Sequence, residues 1–240
     1  MSLYLSGSEQ SNSLYRRLQT LTEFYPKDGV DRALKISLSS LALLLLLALL
    51  PGHSSADWVA VKDSEGIIIY TQEVPGNAII MARGLVIIDA GPEAILRVLD
   101  NNREHPRWIP YLRESRQLQV ISDTERLEYN LFDAPWPASN RDFVFRAKAI
   151  PSNHKDVLLY SMRSEPSPLM PEQENIVRGM LHESRFKLTR LPSGKTEVEL
   201  LFQADPKGWI PNWIINIVQQ AWPYKVLKGL RAQVLSSEQQ

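Results

Sequence analysis

The sequence predicts an α+β fold, a curved antiparallel β-sheet wrapped around one long C-terminal α-helix. Three observations lead there. The last stretch, Asp205–Val234, opens on the turn Asp205-Pro206-Lys207-Gly208 and continues with apolar residues at helical spacing. The middle of the chain is a series of β-branched and aromatic runs joined by short polar turns, as in strands that pair with their sequence neighbours. One helical signal interrupts that series near its start, so helices and strands are grouped rather than alternating.

Taken in order, Trp58–Lys62 is a short amphipathic piece. Gly66–Val74 and Ala78–Asp89 read as strands about the turn Pro75-Gly76-Asn77, a hairpin. Gly91-Pro92 opens a helix with Ile95, Leu96, Val98 and Leu99 on its apolar face, because Pro suits the first helical turn. Asn101–Pro110 is irregular and holds Trp108, a core candidate. Gln117–Ile121 and Glu125–Phe132 form another strand pair. Ala134–Ala138 is a loop, since Pro135 and Pro137 cannot serve a central strand. Arg141–Ile150, Val157–Arg163, Ile176–Leu191 and Lys195–Ala204 continue the sheet, with a proline-rich loop at Ser164–Glu174.

In the terminal helix, Ile210, Trp213, Ile214, Ile217, Ala221 and Tyr224 recur on one face, extended by Leu227, Leu230 and Val234. Asn212, Asn216, Gln219 and Gln220 supply a weakly polar back. Pro223 lacks the N–H for the bond to residue 219, which predicts a kink or break near Trp222. Pro223 and Gly229 are therefore hinge candidates, or else Pro223 marks a helix boundary.

The N-terminal part is a separate unit. Ile36–Leu50 is uncharged and mostly leucine, with Arg32 and Lys35 before it and Ser54-Ser55-Ala56 after it. That order is a secretory signal peptide spanning 30–56, cleaved near Ala56. The alternative is an uncleaved anchor, although the run is shorter than the roughly 20 residues of a membrane span. Both place residues 57–236 outside the cytoplasm, periplasmic or secreted. The polar stretch 1–29 is too long for a signal's basic leader, and initiation at Val30 would leave it untranslated.

With 27 basic and 27 acidic residues the chain presents no electrostatic case for nucleic acid. It has no cysteine, which excludes thiol catalysis, disulfides and thiolate metal sites. Its four histidines lack metal-ligand spacing, and no serine sits in a nucleophile elbow. No catalytic residue, metal or cofactor is expected.

Three motifs resemble those of START domains, the steroidogenic acute regulatory protein-related lipid-transfer family. They are Trp136-Pro137-Ala138-Ser139-Asn140-Arg141-Asp142-Phe143-Val144, the passage from Met170-Pro171 to Ile176-Val177-Arg178-Gly179, and Asp205–Asn216 leading into the last helix. The resemblance spans about Trp58–Val234 and suggests a bacterial secreted or anchored member. It implies a helix-grip fold whose sheet and helix enclose a tunnel for one lipid. It also implies that the strand faces with Glu128, Asn130 and Phe132, and with Phe143, Phe145 and Ala147, point inward. Family members that bind sterol often pair an acid at the position of Glu128 with an arginine at that of Ala147; this chain keeps only the acid. Arg178 is a candidate partner for it, and the other reading of Glu128 is a surface residue beside Arg126. Trp213, Ile214, Ile217 and Ala221 are expected to close the tunnel.

The expected role is to bind a single phospholipid, acyl lipid or sterol-like molecule and carry or present it between membranes, as a monomer. Trp136 and Pro137 form a stiff apolar tip, either a wedge for the bilayer surface or a side chain packed back on the sheet edge. Trp209 and Trp213 belong to the core or to the same membrane face. A cyclase-like or hydrolytic use of the cavity, or a peptide-binding groove, stays open at this point.

Overall fold

The computed structural model describes residues 57–136, 138–152 and 154–238. The extension 1–29, the stretch 30–56 that the sequence reads as a signal or anchor, and Pro137 lie outside the described residues.

Ten strands form one sheet. β1 (Val59–Ser64), β2 (Ile67–Val74) and β3 (Asn77–Ile88) are followed by helix α1 (Pro92–Asp100), a 3₁₀ turn (Asn102–Glu104) and the short α2 (His105–Trp108). Then come β4 (Leu112–Ser122), β5 (Glu125–Phe132), β6 (Asn140–Pro151), β7 (Val157–Ser164), β8 (Ile176–Arg178), β9 (Met180–Arg190), β10 (Thr196–Asp205) and α3 (Asn212–Ser237). The order across the sheet is β1-β2-β3-β10-β9-β7-β6-β5-β4, with β8 alone running parallel, beside β6. The expected single strand at Ile176–Leu191 is thus two. Gly179 separates them because the Phe143 ring lies against it where a side chain would stand.

The core lies between the concave face of the sheet and the helices. Ile67, Ile69, Val86, Leu188, Val198 and Leu200 supply the strand side, and Val226, Leu227, Leu230 and Val234 the α3 side. Two glycines set how closely α3 docks. A Cβ on Gly84 of β3 would stand 2.5 Å from Leu227 Cδ1, so Leu227 fills the space that a side chain at 84 would take. Gly229 abuts the backbone carbonyl of Trp108 at the end of α2. Gly229 therefore has a packing role, and the helix is unbroken through Pro223, which is itself buried.

The helix face is the main correction to the sequence reading. Trp213, Ile214 and Ile217 are 65%, 37% and 56% exposed, and Ala221 is exposed as well. The inward face of the first half carries Ile215, Gln219 and the half-buried Trp222. Two of the amides expected on the polar back, Asn216 and Gln219, are tethers. Asn216 Oδ1 accepts from the Ile80 N–H and its Nδ2 donates to the Ala78 carbonyl. Gln219 Nε2 donates to the Ala204 carbonyl at 2.5 Å. β3 and β10 have separated by that point, their pairing ending at Phe202 and Ala82, and the helix amides take up strand groups beyond it. Asn and Gln side chains thus do what a missing strand neighbour would.

A second apolar cluster lies on the outer face of the sheet, where Leu127, Tyr129, Leu131 and Val144 pack with Leu118, Met170 and Ile176. β5 is consequently buried on both faces.

Substituting Gly229 by Ala should destabilise the protein by about 1–3 kcal/mol, the cost of overpacking a close contact. The midpoint of denaturant unfolding reads this directly; an unchanged midpoint would mean that α3 does not rest on Trp108.

Candidate functional site

β5 and β6 pair with Arg126 opposite Ala147, Glu128 opposite Phe145, Asn130 opposite Phe143 and Phe132 opposite Arg141. Because alternate residues share a face, this register lays Arg126, Glu128, Asn130 and Phe132 beside Ala147, Phe145, Phe143 and Arg141 on the concave side. The residues in between lie on the convex side, where Leu127, Tyr129, Leu131 and Val144 cluster.

The concave strip has three zones. At its inner end, Arg126 ion-pairs with Asp100 from the end of α1 and, at 3.4 Å, with Glu128. Asn102 also hydrogen-bonds the Glu128 carboxylate. Glu128 is 1% exposed, which overturns its reading as a surface residue. The arginine that is absent at Ala147 is supplied from directly across the strand pair, by Arg126. Alternation contained this signal, because Arg126 and Glu128 stand two residues apart on one strand.

The Glu128 carboxyl is raised to about 7, chiefly by burial, against the opposing pull of Asn102 and Arg126. Tyr160 of β7 lies in the same region with its hydroxyl buried and unpartnered. Its pKa is pushed up well above the usual value, first by burial and then by the charge of Glu128. His105 is held neutral between the Leu99 carbonyl, to which Nε2 donates at 3.0 Å, and the Ser115 hydroxyl beside Nδ1. Burial lowers it to about 4.

The middle zone is aromatic. Phe132 meets Phe143 edge-on with ring centroids 5.7 Å apart, and Trp222 of α3 at 6.5 Å. Trp222 stacks on Phe202 of β10 at 4.2 Å, so one indole spans the gap between the two halves of the sheet. The outer zone is the mouth. There the 133–139 loop carries Trp136, 91% exposed, and the turn before α3 carries Trp209, 95% exposed. Trp136 does not pack back on the sheet.

Arg178 belongs elsewhere. Its Nε and Nη2 donate to the two carboxylate oxygens of Asp142 at 2.7 and 3.0 Å, and Nη2 also reaches the Met170 carbonyl. It pairs in register with Asp142, one residue out of phase with the concave set, and so it pins the proline-rich loop to the convex face. It is not the partner of Glu128. Among the described residues no group of three His, Asp or Glu is placed to hold a metal ion. Among them, too, no helix is long and apolar enough to cross a membrane.

A curved sheet gripping a terminal helix over an apolar strip, with one carboxylate sunk at its end, defines a helix-grip protein. The chain belongs to the START domain family, whose family model matches residues 39–240. The START fold is one that forms an internal hydrophobic tunnel for a single lipid. The chain is 28% identical to a STAR-related lipid transfer protein from Xanthomonas axonopodis, with a TM-score of 0.66 over 74% of this chain and 98% of that one. Human StAR-related lipid transfer protein 5 shares the fold at 19% identity, with a TM-score of 0.67 over 87% and 99%. An uncharacterised Pseudomonas aeruginosa protein is 27% identical over 73% of this chain and 86% of its own length. Mouse phosphatidylcholine transfer protein is 21% identical over 69% of this chain and 78% of its own.

The raised Glu128 value sets a pH dependence. The folded value of about 7 exceeds the ordinary glutamate value of 4.5, so the folded state binds the proton more tightly. The buried carboxylate then costs stability as pH rises through 7, up to about 3 kcal/mol. Glu128→Gln removes that cost. The variant should gain more in melting temperature over wild type at pH 8 than at pH 5; an equal difference at both would show that the carboxyl is not desolvated.

Proposed function

We propose that the chain holds one lipid in its interior, with the apolar body along the concave strip and its inner end at the Arg126–Glu128 cluster, and carries or presents it at a membrane surface. The observation that carries this reading is the strip itself, an apolar interior with one sunk polar cluster, in a family whose fold encloses a lipid. Apolar burial is worth about 0.8 kcal/mol per CH₂, so one acyl chain is held without a charged contact.

The inner end of the strip is filled by side chains. Phe145, Ala147 and Tyr160 are 3%, 0% and 1% exposed, so a guest displaces something. The first half of α3 is the element to move. Its outer face is solvated, and it contributes Ile215, Gln219 and Trp222 inward, whereas Val226, Leu227, Leu230 and Val234 of the second half are at most 1% exposed. Pro223 stands where the two halves meet.

Docking on a bilayer is supported by the exposure of Trp136, Trp209, Trp213 and Ile217 toward solvent. An extracytoplasmic site of action is supported by the basic-then-apolar order of residues 30–56. N-terminal sequencing of the protein recovered from cells tests the latter: a mature chain starting near Asp57 is expected, and a chain still carrying Ile36–Leu50 in a soluble fraction would oppose it.

Protein purified without detergent should release a lipid on solvent extraction, identified by mass spectrometry, and should speed transfer of labelled lipid between vesicles. A chemically altered lipid would indicate an enzyme, and an empty protein that captures peptide a binding module. Trp136→Ala with Trp209→Ala should weaken vesicle binding several-fold at unchanged melting temperature. Unchanged vesicle binding would remove the membrane-facing role of the mouth.

A further inference from the structure

Arg141 stands at the mouth end of the concave strip, and its surroundings differ from those of the other well-covered arginines. Arg126 faces Asp100 and Glu128, and Arg178 faces Asp142. Arg141 is 8% exposed and forms no ion pair with any carboxylate among the described residues. Its Nη1 donates to the Ser139 backbone carbonyl, and its Nε, like that of Arg126, is buried without a hydrogen-bond partner, so the missing carboxylate is what sets it apart. Desolvation alone lowers its pKa, with no acid acting against it.

A guanidinium carries five N–H donors in a planar fork suited to phosphate and carboxylate oxygens. Buried without a counter-charge, it costs free energy that an arriving anion would recover. The geometry leaves it turned toward the mouth. The turn before α3 lies over it at Gly208, where a Cβ would be 3.7 Å from Nη2, and the side chain of Val177 is its apolar neighbour there. On one side Ser139 ties Arg141 to the Trp136 loop; on the other the Gly208 turn leads to Trp209. Inward along the same face come Phe132, Phe143 and Trp222. Arg141 and the residue opposite Arg126 are six positions apart on β6, about 20 Å of strand. The strip therefore has at its outer end a cation that pairs with no carboxylate among the described residues, an aromatic middle, and a cluster of opposite charges at its inner end.

We propose that Arg141 is an oxyanion subsite at the mouth, and that the lipid taken up bears a phosphate or carboxylate in its head group. This rests on the lipid-carrier reading and extends it to the chemistry of the ligand. The head group lies between the two tryptophan loops, on the side where a bilayer surface supplies it, and its apolar part runs inward over the aromatic zone.

The test incubates the full chain with vesicles holding equal amounts of phosphatidylglycerol and diacylglycerol of matched acyl chains. The protein is re-isolated and both lipids are counted by mass spectrometry, for wild type, Arg141→Gln and Arg141→Lys, each with its melting temperature. A parallel arm records melting with and without inorganic phosphate. Wild type should prefer phosphatidylglycerol. Arg141→Gln should lower that loading about tenfold or more, the scale of a lost charge-assisted hydrogen bond, and leave diacylglycerol unchanged. Arg141→Lys should fall between, because a point charge replaces the fork. Stabilisation of wild type but not Arg141→Gln by inorganic phosphate, with competition against phosphatidylglycerol loading, would support the subsite and assign it to the free ion as well. Equal loss of both lipids at an unchanged melting temperature would overturn the proposal, since Arg141 would then only fasten the loop. Unchanged phosphatidylglycerol loading in either variant would also overturn it. If Arg141→Gln does not fold, the same criteria apply to Arg141→Lys. A wild type that loads neither lipid would refute the carrier reading itself, a distinguishable result.

Discussion

Leu227 fills the space that Gly84 leaves open on β3, and the seating of α3 follows from that contact. Gly229 against the Trp108 carbonyl fixes the helix from the other side. Between and beyond these points Val226, Leu230 and Val234 are buried to within 1%, each such side chain contributing about 1.5–3 kcal/mol. The second half of the helix is thus clamped. Its first half stands over the sheet with few deeply buried groups, held by Ile215, by Trp222 on Phe202, and by the amides of Asn216 and Gln219. A helix fixed at one end and lightly tethered at the other can open the interior without unfolding the domain, since regions with few buried apolar contacts open at least cost.

The polar groups along the concave face are distributed by the same logic. A carboxylate far from water needs hydrogen bonds and an opposite charge, or a proton. Glu128 has Asn102 and Arg126 for the first and a pKa near 7 for the second. Arg126 is in turn shared with Asp100, so the inner end is nearly balanced. Arg141 at the outer end has no such arrangement. Between them lie rings that offer only apolar contact and edge-to-face packing. This gradient, from an inner cluster where opposite charges face each other to a cation at the mouth that pairs with no carboxylate among the described residues, gives an amphipathic guest an orientation.

Two errors of the linear reading have one physical source. The first half of α3 sets only uncharged amides opposite its apolar residues, so periodicity fixes a phase but not which face turns inward. Trp213 and Ile217 face outward although they are large and apolar, while Gln219 is 2% exposed. A glutamine is a poor core residue until a strand carbonyl lacks a partner, and that vacancy exists only because β3 and β10 part at Phe202 and Ala82. The sequence makes Arg178 a candidate partner for Glu128; the parallel pairing of β8 with β6 puts it beside Asp142 instead. Parallel pairing at Ile176–Arg178 follows a long loop and leaves no mark in alternation.

The sequence by itself determined the order of most elements, the hairpins and the terminal helix, because turn residues, strand alternation and helical spacing are local properties. It also contained the family motifs and the alternation that sets Arg126 beside Glu128. Only the tertiary structure decided which helix face is inside, which arginine answers the buried carboxylate and which is left without one. Those outcomes depend on register between strands distant in the chain and on how closely two backbones approach at Gly84 and Gly229. No local pattern encodes a distance between residues that meet only after the chain has folded.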